Sequence, residues 1–207
     1  MPRMDRARRA GGLGWVVVGL LAQAYAGVVR GVWPGWVTGV LLGAAAVLAL
    51  AHTPYVLTRD ERPARLLGRL VGVLLGASLL GAVADRLGLL GDPGAPGVSW
   101  GSWPAFVDYT ARMLPDALDG TAQAAAVAAT AVEVVLGVLV ACGWQRRWVG
   151  KACAGLFAAY LVLMLTGVGA EETLRYGVPT LIGGALLVSA TPDRRNDLTS
   201  RALEPSG

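Results

Sequence analysis

The chain of 207 residues is 55% hydrophobic and only 15% charged, whereas about a quarter of the residues in a soluble domain are charged. Its longest apolar runs reach roughly 20 residues, which span about 30 Å of hydrocarbon as a helix. The net charge of +4 does not indicate nucleic-acid binding. The basic residues flank the apolar runs, and the chain lacks the aromatic–basic pattern that binds single strands. Composition therefore favours an α-helical membrane protein over a soluble enzyme.

Six apolar segments predict an all-α fold, a polytopic transmembrane helical bundle with six spans. They cover residues 13–29, 36–51, 66–84, 121–142, 149–168 and 176–190. Fourteen of the 18 Lys and Arg residues fall in the two tails and around the connections between spans two and three and spans four and five. By the positive-inside rule, this alternation predicts a multi-pass protein of the cytoplasmic (inner) membrane, embedded in the lipid bilayer, with both termini inside.

The amino terminus allows a second interpretation. Residues 1–24 have the basic start, the short apolar stretch and the small residues Ala22 and Ala24 of a cleavable secretory signal. The apolar segment continues through Val29, which favours an uncleaved membrane anchor.

The longest connection, 91–120, is expected on the outer side. Its Gly- and Pro-rich start is not helical, and Ser102 then predicts the N-cap of an amphipathic helix over 103–118. We expect this helix to lie at the outer interface or over the mouth of the bundle, as a packed loop helix or as a lid that gates a substrate.

Glycines recur every four residues in spans two and three, which predicts faces where helix backbones pack closely. The two sets are Gly35, Gly39 and Gly43, and Gly68, Gly72 and Gly76.

Glu133 is the most informative single residue, because a carboxyl group in the middle of a span is unfavourable unless it is protonated, paired or hydrated. We interpret Glu133 as part of a polar stripe that faces the bundle interior, together with Gln123, Thr130 and Gly137. Tyr160 on span five is a candidate hydrogen-bond donor to its carboxyl group. Glu133 is either a functional carboxylate, the one candidate catalytic residue, or a structural group that joins helices. Asp85 and Arg86 are expected to be interfacial anchors, since they end span three near the outer surface.

Other kinds of site have little support in the sequence. Cys142 and Cys153 fall on the cytoplasmic side, where thiols stay reduced, and a single histidine does not make a metal site. Nucleotide-binding and hydrolase motifs are absent. We therefore expect no stand-alone enzyme, no metal and no evident cofactor.

Four motifs in order resemble the DoxX-like family of small membrane proteins, over about residues 65–190. They are the segment 101–110, the segment 131–137, the turn 143–147 before the next apolar helix, and the segment 174–177. The resemblance implies a four-helix core from spans three to six, with the two-span hairpin in residues 1–64 as an amino-terminal addition. Residues 192–207 are expected to form a disordered cytoplasmic tail. The resemblance also implies a subunit of a redox system that is linked to quinone.

Our leading hypothesis is such a non-autonomous subunit, binding a lipophilic ligand, a quinone, or a redox partner protein. One alternative is a transporter or permeation protein for a small solute, and another is a structural or assembly protein, including a homo-oligomer. The candidate ligand-binding residues, of which Tyr109 and Thr110 lie at motif positions of the family, are Glu133, Thr130, Gln123, Tyr160, Tyr109 and Thr110.

Overall fold

The computed structural model describes residues 2–31, 33, 36–58 and 62–191, and all regular secondary structure in these ranges is helical. A 3₁₀ turn, Asp116–Thr121, joins α4 to α5. The α-helices of the described ranges are α1 (Pro2–Arg30), α2 (Trp36–Thr58), α3 (Arg62–Arg86), α4 (Trp103–Met113), α5 (Ala122–Ala141), α6 (Arg146–Gly167), α7 (Ala170–Arg175) and α8 (Val178–Ala190).

Four helices of the described ranges are long and apolar enough to cross a membrane: Ala7–Arg30, Arg65–Arg86, Ala122–Ala141 and Arg146–Gly167. The other two predicted segments are helical, but their apolar parts, Gly39–Ala51 and Val178–Ala190, are shorter than a full span of roughly 20 residues. By length and composition the chain is therefore a helical membrane protein.

Helix α8 lies at the centre of the bundle. Twelve of its 13 residues are buried, as expected for a helix that is hydrophobic on all sides. It packs most extensively against α1 and α6 and also contacts α2 and α3. Helix α1 runs antiparallel to it, because Gly12 lies beside Leu187 and Gly19 beside Thr180.

The described ends of α1 and α8 meet at one end of the bundle. The guanidinium groups of Arg8 and Arg9 donate to the carbonyl oxygens of Ser189 and Ala190, at 3.3 and 3.5 Å. Basic side chains are favourable at the carboxyl end of a helix, where carbonyl groups lack helical partners. Arg8 and Arg9 therefore lie beside the carboxyl end of α8.

The prediction of close packing at glycine is confirmed for α3 and wrong for α2. A Cβ on Gly76 would lie 2.5 Å from the carbonyl oxygen of Gly137, and one on Gly68 would lie 2.5 Å from the hydroxyl oxygen of Thr191. Gly39 and Gly43 face open space, because α2 buries a different face, and Gly35 lies outside the described residues. Among the α2 side chains that the structure describes, the buried apolar ones are Leu41, Leu42, Ala45, Leu48 and Ala49.

Helix α4 begins at the predicted residue, Trp103, and ends before the predicted residue 118. Ser102 is the N-cap, accepting a hydrogen bond from the Ala105 amide. The helix stops at Met113 instead of residue 118, because Pro115 disfavours a helical Leu114, which is extended at φ −80° and ψ 147°. The buried residues of α4 are Phe106, Tyr109, Thr110 and Met113, so its apolar face packs onto the bundle.

The substitution Gly76→Ala should destabilise the protein, because its methyl group would push against the backbone of α5. Overpacking of this kind costs about 1–3 kcal/mol. Thermal unfolding of the detergent-solubilised protein is the measurement. Gly81→Ala is the control on the same helix, since Gly81 faces open space, and it should leave stability unchanged or slightly raised. Equal stability of the two variants would contradict the close contact between α3 and α5.

Candidate ligand-binding site

The end of α3 is fixed by Gly88. Gly88 adopts φ 74°, its amide donates to the Asp85 carbonyl, and the Leu89 amide donates to the Ala84 carbonyl. This pair of bonds is the Schellman arrangement, in which glycine supplies the left-handed residue after a helix. Arg86 is thus the last helical residue of α3.

Arg86 nevertheless lies inside the bundle. Helix α3 ends beside Thr130, eight residues after Ala122 where α5 begins, and this corresponds to about 12 Å along the axis of α5 at 1.5 Å per residue. The expectation that Arg86 is an interfacial anchor is therefore wrong. A helix end lies at the surface only if neighbouring helices end at the same depth, and here α5 extends further.

Arg86 and Glu133 form a buried ion pair. Nη2 of Arg86 lies 2.7 Å from Oε2 of Glu133, and the two side chains are 2% and 4% exposed. Nη1 donates to the Thr130 hydroxyl at 2.9 Å, and Nε donates to the Ala82 carbonyl at 3.1 Å. Thr130 in turn donates to the Ala126 carbonyl. The bonds hold the guanidinium group in one orientation against α5.

The hydroxyl group of Tyr160 donates to Oε1 of Glu133. This contact confirms the prediction that Tyr160 is the hydrogen-bond partner of the carboxyl group. Both oxygens of Glu133 therefore have a donor, one from α3 and one from α6. A buried charge is tolerated when it is paired and its remaining lone pairs are bonded in this way.

Two aromatic rings cover the guanidinium group. The Cζ atom of Arg86 lies 3.8 Å from the ring centroid of Phe106 and 5.3 Å from that of Trp100, and the two rings meet edge to face. A cation over the face of an aromatic ring is attracted to it, more strongly when water is excluded. Phe106 belongs to α4, so the connection 91–120 closes over the charged centre.

Asp85 holds the loop that carries Trp100. Its carboxylate accepts hydrogen bonds from the backbone amides of Ser99, Trp100 and Gly101, at 2.9, 3.3 and 3.1 Å. The residue is 4% exposed, so its prediction as an interfacial anchor is also wrong. Three amide donors converge on one carboxylate because this loop folds back over the end of α3.

A cavity of about 200 Å³ lies beside the ion pair. Its walls come from α2, α3, α4, α5, α6 and α8 and from the residues next to α4 and α8. Most of the lining is aliphatic or aromatic, and Arg86, Glu133 and Tyr160 form one polar wall. We name this space the head-group cavity.

Tyr109 also lines the head-group cavity, and its hydroxyl group is buried without a hydrogen-bond partner. Burial raises the pKa of Tyr109, so the phenol stays protonated and keeps a proton to donate. A buried polar atom with no partner is uncommon in proteins. It indicates a place where a ligand with an acceptor atom would complete the hydrogen bonding.

The structure brings most of the predicted site residues together. Glu133, Tyr160, Tyr109 and Thr110 line the head-group cavity, and the Thr110 hydroxyl donates to the Phe106 carbonyl. Thr130 supports Arg86 from α5. Gln123 does not join them, because it is exposed.

The predicted polar stripe is therefore wrong at Gln123. Ten residues separate Gln123 from Glu133, which at about 100° per residue places the two side chains roughly 80° apart around α5. The buried face of α5 carries Ala122, Ala126, Glu133, Gly137 and Val140.

Sequence reasoning missed Arg86 and the two rings that cover it. One signal was available: a carboxylate at mid-span needs a counter-charge, and few basic residues occur at the end of the predicted spans where Arg86 lies. No family model, curated protein or solved structure matches the chain. Fold and site together define a helical membrane protein with a buried Arg–Glu–Tyr centre in the wall of an apolar cavity.

Glu133→Gln should destabilise the protein more than Arg86→Met does. Arginine stays charged at any accessible pH, so Glu133→Gln leaves a buried cation without its counter-ion, at a cost of about 3–5 kcal/mol. In Arg86→Met the remaining carboxyl group can take up a proton and become neutral.

Thermal unfolding in detergent measures both effects, together with the double variant Arg86→Met/Glu133→Leu, which should be more stable than Glu133→Gln. The control is Arg30→Gln, which breaks the exposed Arg30–Glu171 pair and should change stability by no more than about 1 kcal/mol. Similar losses for Glu133→Gln and Arg30→Gln would contradict a dry, paired centre.

Proposed function

We propose that this chain is a DoxX-like inner-membrane protein that binds a small lipophilic molecule of the quinone class, as a non-autonomous subunit of a redox system. The observation that carries the proposal is the head-group cavity, an apolar space with one polar wall and one phenol that lacks a partner. Ligand sites in proteins commonly combine apolar walls with a few convergent polar groups.

A quinone ring suits the chemistry of this cavity. Its carbonyl oxygens are acceptors, and the Tyr109 hydroxyl is a donor without a partner. The bonds to Ala82, Thr130 and Glu133 use three of the five N–H groups of Arg86, so this guanidinium group is a second donor. The rings of Trp100, Phe106 and Phe157 supply flat apolar walls.

When bound, a quinone supplies an acceptor for two electrons, and the chain itself supplies position and hydrogen bonds. The Tyr160 hydroxyl donates its hydrogen bond to Oε1 of Glu133, next to the cavity. Helix α4 and the loop at Ser99–Gly101 exclude water from the outer side. The source of electrons in this proposal is a redox partner protein.

The structural or assembly alternative has a specific observation in its favour. The Arg86–Glu133 pair and the Gly76–Gly137 contact join α3 to α5, and a purely structural centre needs no ligand. The transport alternative has less support, because Gln123 is exposed away from the cavity and leaves no polar path through the described part of α5. A measurement of ligand binding separates the quinone-binding proposal from the structural or assembly alternative.

Tyr109→Phe should weaken quinone binding without destabilising the protein. Loss of one hydrogen bond reduces affinity by about 3- to 10-fold, while removal of a buried hydroxyl without a partner leaves thermal stability equal or higher. Native mass spectrometry of the detergent-solubilised protein, with a quinone probe added in series, measures binding.

Tyr25→Phe is the matched control, since Tyr25 is 58% exposed on α1 and lies outside the head-group cavity. Its affinity for the probe should equal that of the wild type. A wild-type protein that carries no quinone and binds none, and instead co-purifies with one stoichiometric partner, would favour the assembly alternative.

We also propose that the chain spans the inner membrane six times, with α2 and α8 as the shorter spans and both termini in the cytoplasm. Support comes from the antiparallel packing of α1 on α8 and from the basic residues at their shared end. The exposed Cys142, in the turn between α5 and α6, then faces the cytoplasm.

A membrane-impermeant maleimide should therefore label Cys142 only after the cells are opened. Cys153 is buried and should stay unlabelled in the folded protein. The matched variant carries Cys142→Ser and Asp92→Cys, because Asp92 lies exposed in the opposite connection, and it should be labelled in intact spheroplasts. Labelling of Cys142 from outside would overturn the proposed orientation.

A further inference from the structure

A second cavity, of about 520 Å³, lies next to the head-group cavity. Five residues line both spaces: Leu41, Ser78, Ala82, Trp100 and Tyr176. The two cavities therefore share a wall that these residues form. The second one continues between the first turns of α2, the outer half of α3 and the loop before α4.

We name this second space the lateral groove. Beyond the shared residues it is lined by Val40, Leu74, Ala77, Gly81 and Leu90, and by Asp85, Gly97 and Ser99. Val40 is 53% exposed and Leu90 is 55% exposed, so the groove reaches the apolar outer face of the bundle. Its inner end is the shared wall with the head-group cavity. The lateral groove thus extends from the lipid-facing surface to the site of the ion pair.

Between Leu74 and Asp85, the side chains of α3 that line the lateral groove are small. Ala77, Ser78, Gly81 and Ala82 face it in succession, and a Cβ on Gly81 would meet nothing within 4 Å. On the neighbouring face of the same helix, Gly76 contacts α5 closely. The width of the groove is therefore a consequence of residue size on one face of α3.

Two independent observations indicate what occupies these spaces. The head-group cavity, at about 200 Å³, is smaller than the roughly 300–1,000 Å³ of pockets that enclose a drug-sized ligand. A ligand that places its ring there must extend any long chain elsewhere. The unpartnered hydroxyl of Tyr109, a residue that is 8% exposed, indicates that the part inside is polar.

We propose that the lateral groove holds the apolar tail of the ligand and is the opening through which the ligand enters from the bilayer, between α2 and α3. This inference rests on the proposed function and narrows the ligand class to molecules with a small ring head group and a long hydrocarbon chain. The ring lies against Tyr109 and Arg86, and the chain passes Ser78 and Gly81 to the lipid.

The test compares two probes that share one benzoquinone ring, one with a long alkyl tail and one without a tail. Binding to the full-length protein in detergent is followed by quenching of its tryptophan fluorescence. Gly81→Phe fills the groove and should weaken binding of the tailed probe by about tenfold or more, because burial of two methylene groups contributes about that factor. Affinity for the tail-less probe should change less than about twofold, since its ring stays within the head-group cavity.

Gly155→Phe is the matched control, because Gly155 on α6 is exposed, faces open space and lines neither cavity. It should bind both probes as the wild type does. Ala77→Phe blocks the same groove from its exposed side. It replaces Gly81→Phe as the test variant if Gly81→Phe does not fold.

The outcomes separate this inference from the proposed function. If Gly81→Phe and Ala77→Phe bind the tailed probe like the wild type, or lose both probes equally, the lateral opening is overturned while quinone binding stands. Equal affinity of the wild type for both probes also overturns it, because the tail then makes no contact. A wild-type protein that binds neither probe overturns the proposed function and the lateral opening with it.

Discussion

The ion pair between Arg86 and Glu133 is the interaction on which the rest of the site depends. Two charges in an apolar interior are stable only when they meet at close range and their remaining donors and acceptors are bonded. Here α3 supplies the cation, α5 the anion and Thr130, and α6 the hydroxyl of Tyr160. The connection 91–120 adds the ring of Phe106 over the guanidinium group. One charged centre thus joins elements that are distant in the chain.

The depth of that centre follows from glycine packing. Gly76 and Gly137 let the backbones of α3 and α5 approach closely, and this contact sets the register in which Arg86 reaches Thr130 and Glu133. Gly88 then ends α3 directly after the arginine. Because α3 ends before it reaches the level of Ala122, where α5 begins, the loop and α4 can fold over the end of α3 and cover the charges.

Adjacent residues at the end of α3 have different roles. Asp85 binds three backbone amides of the loop that carries Trp100, and Arg86 binds the side chains of α5. The end of α3 therefore links the position of the loop that carries Trp100 to the position of the Arg86 guanidinium group. The same arrangement leaves an apolar cavity with a polar wall, and this combination of shape and chemistry is what our proposal of a lipophilic ligand uses. Small residues on the neighbouring face of α3 give that cavity its connection to the lateral groove.

The sequence by itself determined the elements that local chemistry controls: the apolar helices, the Ser102 cap, the glycine face of α3, and Glu133 as the unusual residue that needs a partner. Periodicity along one helix says little about depth and register between helices. It therefore placed Arg86 and Asp85 at the surface and Gln123 on the buried face of α5, and it assigned α2 a glycine face that the structure leaves open. Only the tertiary structure decided these points, because the meeting of α3 and α5 depends on backbone contacts between residues some 60 positions apart, such as Gly76 and Gly137, and no local pattern encodes that distance.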